Sequence, residues 1–200
     1  MADSVDSPDV YLVEPEKRGL LPIADLHISK SLLKTLKKQP FTICIDRDFA
    51  SVIQACAEET KDRPSSWINP AIQSLFTQLH ELGHAHSVEC YIGDELVGGL
   101  YGLQVGAIFC GESMFSRRTN ASKVALVHLC ARLWKAGFDV LDSQFINDHL
   151  KQFGCYEVPN SEYLEILAVK LNEEPDFLLR NYEHSEVSLL RDYLSNRHAP

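Results

Sequence analysis

The sequence predicts an α+β fold in which a mixed, mainly antiparallel sheet is flanked by helices. Three observations carry that expectation. Ser87–Ile92 and Glu95–Leu103 read as strands on either side of a Gly93-Asp94 turn, the pattern of a hairpin. A helical apolar period then runs through Val124, Val127, Leu129, Leu133 and Trp134 and stops at Gly137. After it, Phe138–Phe145 reads as a further strand.

Taken in order, Met1–Asp9 is polar and expected to fray, and Val10–Leu26, with Pro15, Gly19 and Pro22, should run as extended, turn-rich chain. Ser29–Lys38 predicts a short helix with Leu32, Leu33 and Leu36 on one face and lysines on the other. Phe41–Ile45 alternates like a strand. Asp48 should cap a helix that turns Val52, Ile53, Ala55 and Cys56 inward and is broken by Pro64–Ser66. Asn69-Pro70 opens the next helix, with Ile72, Leu75, Phe76 and Leu79 at helical spacing. Beyond the hairpin, a turn near Gln104–Gly106 leads to strand Ala107–Cys110, and Asn120 or Ser122 should cap the long helix. Asp148–Phe153 predicts a short helix and Ser161–Leu171 a last amphipathic one. The expected organisation is a partial N-terminal domain with its basic helix over 1–40, a catalytic domain over 41–171 and a tail over 172–200.

Composition limits the function. The 200 residues are 45% hydrophobic and 24% charged, enough to bury a core without metal or disulfide staples. No apolar run approaches the ~18 residues of a membrane span, and the start lacks a signal-peptide pattern. The six cysteines never form a CxxC pair and read as reduced core residues of a cytoplasmic protein. A net charge of −9 argues against a protein that coats nucleic acid. Positive residues nevertheless gather locally: Lys17, Arg18, Lys30, Lys34, Lys37, Lys38 and Arg47 are opposed between them only by Asp25 and Asp46. One end of the chain is built to meet a polyanion.

His80-Glu81-Leu82-Gly83-His84 is a literal HExxH match. Zinc chemistry needs both imidazoles on one helical face, one turn apart. Here the apolar period ends at Leu79–Leu82, Gly83 looks like the residue after a helix end, and His84 should lie beyond it. Histidines at a helix C-terminus, favoured by its dipole, are the better reading. No metal site is expected.

Other segments act as a set: Glu81–Glu89 (Glu-Leu-Gly-His-Ala-His-Ser-Val-Glu), Leu96-Val-Gly-Gly-Leu-Tyr-Gly102, Phe109-Cys-Gly-Glu-Ser-Met-Phe-Ser116 and Asn120-Ala-Ser-Lys-Val-Ala-Leu126. With Leu26-His-Ile-Ser-Lys30, Ser66-Trp-Ile68 and Leu141–His149, in the same order, they resemble the leucyl/phenylalanyl-tRNA–protein transferases over about Val13–Leu167. The resemblance implies transfer of Leu or Phe, less readily Met, from Leu-tRNA or Phe-tRNA to proteins with an N-terminal Arg or Lys, marking them for N-end rule degradation. It implies a small N-terminal domain packed on a domain like the GCN5-type acetyltransferases. No cofactor, no membrane and a monomeric state are expected. Members of the family usually carry a further glycine-rich stretch and an aromatic that helps bind the 3′ adenosine. Where an aromatic pair often stands, this chain has Leu12-Val13.

The same resemblance assigns roles. An aminoacyl ester is already activated, so the enzyme has only to align an amine with a carbonyl. The α-amine, with a reference pKa of about 7.7–8.0, needs no more than a modest relay to attack as the neutral form. Asp142 and Gln144 alternate on one strand and should share a face; Gln144 would touch the attacking nitrogen, Asp142 polarise it, and Asn147 position the ester. Glu112, with Asp142, would hold the acceptor's cationic side chain. Leu100, Phe109, Met114 and Leu141 would line the donor side-chain pocket, where a misfit of one methyl is worth only ~1–3 kcal/mol. Trp67 would stack near the terminal adenosine, and Lys30, Lys34, Lys37 and Lys38 would meet acceptor-stem phosphates.

Each residue also has a plainer reading: a turn carboxylate for Glu112, a structural cap for Asp142, core packing for the apolar four. Trp67 would be a half-buried residue before a helix, and the lysines a solvated helix face. Two rival functions stand beside the transferase. An acyl-CoA N-acetyltransferase would need a glycine-rich pyrophosphate loop that Arg117–Ser122 does not supply. A non-catalytic binder of N-terminal basic residues would need only Glu112 and Asp142.

Overall fold

A computed structural model of the chain describes residues 1–60, 64–183 and 185–198. The ranges 41–171 and 172–200 contain residues 61–63, 184 and 199–200, which lie outside the described residues. In chain order the elements are β1 (Lys17–Leu21), α1 (Lys30–Lys38), β2 (Thr42–Ile45), α2 (Phe49–Ala57), α3 (Pro70–Glu81), β3 (Ala85–Ile92) and β4 (Glu95–Val105). There follow β5 (Ile108–Ser116), α4 (Ala121–Ala136), β6 (Val140–Gln144), α5 (Asp148–Lys151), β7 (Tyr156–Pro159), α6 (Asn160–Lys170) and α7 (Glu186–Asn196).

The seven strands form one sheet in the order β2-β3-β4-β5-β6-β1-β7. Only β5 and β6 run parallel, joined through α4; every other neighbouring pair is antiparallel. Alternation along the strands sends side chains to two apolar layers. On one face Val88, Cys90, Leu100 and Phe109 pack with α4, α1 and α7. On the other, Ala85, Tyr101 and Phe115 pack with α2 and α3, while Ile108, Val140 and Leu20 pack with Tyr163 of α6. The long helix can lie this close because a Cβ on Gly98 of β4 would stand 2.4 Å from that of Ala121.

The helix-start signals of the first half hold, but Met1–Asp9 does not fray: Ala2 is buried, and the Asn69 amide donates to the Ser7 carbonyl at 2.8 Å. Ser29, Asp48 and Asn69 cap α1, α2 and α3 by accepting from the backbone N–H of Leu32, Ser51 and Ile72. Asn120, expected as a cap of α4 along with Ser122, makes no such bond: it takes the left-handed conformation, and its amide donates to Thr35 Oγ1 of α1 at 3.3 Å. Ser116 Oγ instead accepts the Ser122 N–H at 3.3 Å. Strand β5 runs to Ser116, well past the expected Cys110.

Three elements escape the pattern reading. Strand β1 looked like a turn-rich stretch because of Gly19, yet Gly19 belongs there: a Cβ would meet Ser143 Oγ at 2.9 Å across to β6. Strand β7 is four residues long and ends on Pro159, too short to show a period. Helix α7 follows α6, so the latter is not the last; Ser185 caps α7, and Leu189, Leu190 and Tyr193 bury against the α4 layer. The six cysteines form no disulfide among the described residues. No helix among the described residues is long and apolar enough to cross a membrane.

Candidate functional site

The site follows from where one strand pair lets go. Strands β5 and β6 pair only from Ile108–Val140 to Cys110–Asp142. Beyond that, β5 continues beside β4 while β6 turns toward β1, and the sheet opens between them. A cavity of about 650 Å³ occupies the opening. It is the size class of small-molecule sites. Leu100, Met114, Leu126, Leu129, Leu141 and Leu150 give it an apolar interior, and Glu112, Asp142, Gln144 and Asn147 supply polar groups.

Two backbone irregularities aim those groups. On β5, Gly102 pairs with Gly111 and Tyr101 with Ser113, so Glu112 is the additional residue of a β-bulge. Bulges commonly re-aim a side chain in this way. On β6, Gly19 pairs with Gln144 and Leu20 with Asp142, leaving Ser143 extra. Gln144 then adopts φ +63°, in the left-handed region. Asp142 and Gln144 therefore share the cavity, but not through the simple strand alternation expected. They meet because Asp142 Oδ1 accepts the Gln144 backbone N–H at 2.7 Å, closing a tight side-chain turn. Gln144 Nε2 in turn donates to Glu112 Oε1 at 3.1 Å.

Asp142 is fully buried. Its second oxygen, Oδ2, accepts from Arg18 Nη2 of β1 and lies 3.8 Å from Cys110 Sγ. The Arg18 guanidinium sits over the Tyr163 ring, 4.4 Å from its centroid, and its Nη2 is 3.5 Å from the Tyr163 hydroxyl. Burial works against the arginine's charge, but the bonds to Asp142 outweigh it and the guanidinium pKa lies above its ordinary value. Glu112 forms no ion pair among the described residues, and the Met1 ammonium and Arg18 only weakly favour its charge. Burial pushes its carboxyl up to about 7, and the Asp142 charge adds to this, while the Gln144 bond pulls the other way. His149, also lining the cavity, is held below the usual histidine range by burial and by Lys123.

The other expected residues fall as follows. Leu100, Met114 and Leu141 line the cavity together, and so does Trp67. Trp67 is half-buried just ahead of the Asn69 cap, and its carbonyl accepts the Ala2 N–H at 3.1 Å. Asn147 caps α5, its Oδ1 accepting from Leu150 N at 2.9 Å, which leaves the NH₂ as the donor it can offer. Phe109 departs from expectation. It is fully buried and does not line the cavity, because its ring is taken up in stacking on Phe177 at 5.2 Å and edge-on packing with Phe138. Lys30, Lys34, Lys37 and Lys38 are all exposed on α1, and none has an ion-pair partner among the described residues.

The HExxH residues do not assemble. Helix α3 ends at Glu81, Gly83 is left-handed at φ +80°, and His84 is beyond the helix. His80 stacks on Phe49 at 4.4 Å, with its Nδ1 2.9 Å from the Ala85 carbonyl. No group of three or more His, Cys, Asp or Glu side chains among the described residues could hold a metal ion.

Arg18, Tyr163, His149, Leu126, Leu129 and Leu150 were not read as site residues from the sequence. Arg18 was visible only as one member of a positive run, and its partner lies 124 residues away. Only His149 and Leu126 stand inside the motifs that carry the family resemblance.

Comparison with known proteins points to one family. The profile of the family described as leucyl/phenylalanyl-tRNA protein transferase matches residues 20–168. A leucyl/phenylalanyl-tRNA–protein transferase of Zymomonas mobilis is 53% identical over 167 residues, which are 84% of this chain and 62% of that protein. One from Maricaulis maris is 49% identical over 177 residues, 88% of this chain and 82% of its own length. One from Rhizorhabdus wittichii is 52% identical over 171 residues, 86% and 69% of the two chains. The chain thus spans less than two thirds of the Zymomonas protein.

Proposed function

The chain belongs to the leucyl/phenylalanyl-tRNA protein transferase family, and from that premise we propose that it transfers Leu or Phe, less readily Met, from an aminoacyl-tRNA to the N-terminal Arg or Lys of a protein. The observation that carries the reading is the chain of groups Glu112–Gln144–Asp142 set at an apolar cavity. The donor's side chain lies against Leu100, Met114 and Leu141, with Leu126 and Leu129 behind. Its ester carbonyl faces Gln144, oriented by the Asn147 amide. Glu112, which forms no ion pair among the described residues, takes the acceptor's guanidinium or ammonium.

The amine then attacks the carbonyl carbon. The tetrahedral intermediate collapses with cleavage of the ester bond, and the ribose oxygen leaves with the proton that the nitrogen gives up. Gln144 donates its Nε2–H to Glu112, so its carbonyl oxygen is the atom that accepts an N–H of the incoming amine. Alignment supplies the rate, since the ester is activated before it arrives and needs no metal or organic cofactor.

The opening of the sheet beyond a parallel strand pair supports a likeness of residues 41–171 to the GCN5-type acetyltransferases, with 1–40 as an N-terminal unit and 172–200 as a tail. The exposed lysines of α1 receive acceptor-stem phosphates, and Trp67 the terminal adenosine. The reaction belongs in the cytoplasm, where charged tRNA is found, and marks proteins for N-end rule degradation. Incubation with radiolabelled Leu-tRNA and an Arg-initiated peptide tests the reading. Label on the peptide, absent with Gln144→Ala, supports it. Peptide binding without transfer points to an adaptor, and acetylation from acetyl-CoA would replace the reading altogether.

A further inference from the structure

The relay leaves one buried ion pair unused. Asp142 has no exposed surface and its carboxylate is shared between two jobs: Oδ1 holds the Gln144 backbone N–H, and Oδ2 meets Arg18. Left alone in this place, the carboxylate would bear the full penalty of a buried charge and would protonate or swing away. Arg18 prevents both. It comes from β1, the strand on the far side of β6, and is itself pinned between Asp142 and the ring of Tyr163 on α6. Gln144 needs such a hold, because a non-glycine residue at φ +63° costs free energy unless its surroundings impose it. The pair is also a poor choice for stability alone. Arg18 Nε is buried without a hydrogen-bond partner among the described residues, and an apolar pair would fill the space at less expense.

We propose that Arg18 is a positioning residue for the transfer: by pairing with Asp142 and lying on Tyr163 it fixes the carboxylate that holds Gln144 in its left-handed turn, directed at Glu112. The inference rests on the reading of the site as an aminoacyl transferase. It assigns Asp142 to orienting Gln144 and leaves recognition of the acceptor's cation to Glu112. Among the described residues the charged and titratable groups around Asp142 are Arg18 from β1, Cys110 and Glu112 from β5, Cys155 ahead of β7 and Tyr163 from α6. Arg18 is the sole cation of that set.

The test compares the unaltered chain with Arg18→Met and Arg18→Lys by two readouts, steady-state transfer and hydrogen exchange of the Gln144 backbone amide. Arg18→Met is expected to lower kcat roughly 10–100-fold, with the acceptor KM within about threefold of the original. The Gln144 amide should lose protection in the same variant. Arg18→Lys, which keeps a charge but cannot lie flat on the ring, should recover part of both. A structural role alone would lower the folded fraction without changing kcat per folded molecule. Unchanged kcat and unchanged Gln144 protection in folded Arg18→Met overturn the proposal. If the unaltered chain transfers nothing, the functional reading fails, and the amide exchange alone still decides whether Arg18 holds Gln144.

Discussion

Replacing Glu112 with Gln should stabilise the fold while impairing the reaction, and the size of the gain can be worked out. The Glu112 carboxyl is lifted from its ordinary 4.5 to about 7, chiefly by burial. The folded state therefore holds a proton that the unfolded chain releases two to three pH steps sooner. Its contribution is fully present below the unfolded pKa and is lost as pH rises to about 7. At ~1.4 kcal/mol per pKa unit, ionising it in place costs on the order of 3 kcal/mol at pH 8. A neutral Gln of the same shape escapes that cost. Urea unfolding at pH 8 and at pH 4.5 measures it: Glu112→Gln should be more stable by about 2–4 kcal/mol at the higher pH and nearly equal to the original at the lower. Acceptor recognition should fall together with the charge. Losing a charge-assisted bond worth ~1.5–3 kcal/mol lowers kcat/KM for an Arg-initiated peptide roughly 10–100-fold. A variant no more stable at pH 8, or equally stabilised at both pH values, would refute the burial argument. A stabilised variant with full activity would refute the role given to the carboxylate.

Other outcomes follow from the same geometry. In the unaltered chain the acceptor KM should fall as pH rises through about 7, since Glu112 ionises there, and this dependence should vanish in Glu112→Gln; a KM flat from pH 6 to 8 would contradict it. Met114→Ala widens the apolar interior and should shift the preference from Leu toward the larger Phe by roughly 10–200-fold in relative kcat/KM, read with the two charged tRNAs in competition. Reversing Lys34 and Lys37 to Glu should raise the donor KM and flatten its salt dependence, with the log–log slope falling by roughly 0.7–0.9 per lost phosphate contact. The tail has its own anchor: the nearly buried Arg132 pairs with Glu186 of α7 and donates to the Phe177 carbonyl at 2.9 Å. Arg132→Met should cost about 3–5 kcal/mol in urea unfolding, part of it restored by adding Glu186→Gln.

Local rules made much of the fold legible. Ser29, Asp48 and Asn69 announce their helices because a side-chain oxygen one residue ahead of an apolar period has few other uses. Gly93-Asp94 and Gly137 do the same for a hairpin and a helix end. The elements that escaped depend on distant partners. Strand β1 exists because Gly19 permits close approach to Ser143, and β7 because β1 offers it an edge. Helix α7 carries its own local signals in the Ser185 cap and the buried Leu189 and Tyr193.

The site divides in the same way. Glu112, Gln144, Leu100 and Met114 could be picked out only through several motifs in register, and they do surround one cavity. What the motifs could not convey is how the residues are aimed. The bulge at Glu112 arises from the register of the β4–β5 hairpin, and the left-handed Gln144 from the register of β6 with the distant β1. Phe109 sits in the same motif as Glu112 and Met114 yet is drawn into the core by Phe177, which lies in the tail. Arg18 shows the limit most plainly. Its charge was visible at once, but nothing near it in sequence points to a carboxylate 124 residues on.

The most direct measurement is a mass spectrum of two peptides identical but for their first residue, Arg in one and Glu in the other, mixed with the protein and Leu-tRNA. The account predicts one added leucyl group, at the α-amine of the Arg peptide alone. Leucine on both peptides, on an internal lysine or on neither would contradict it.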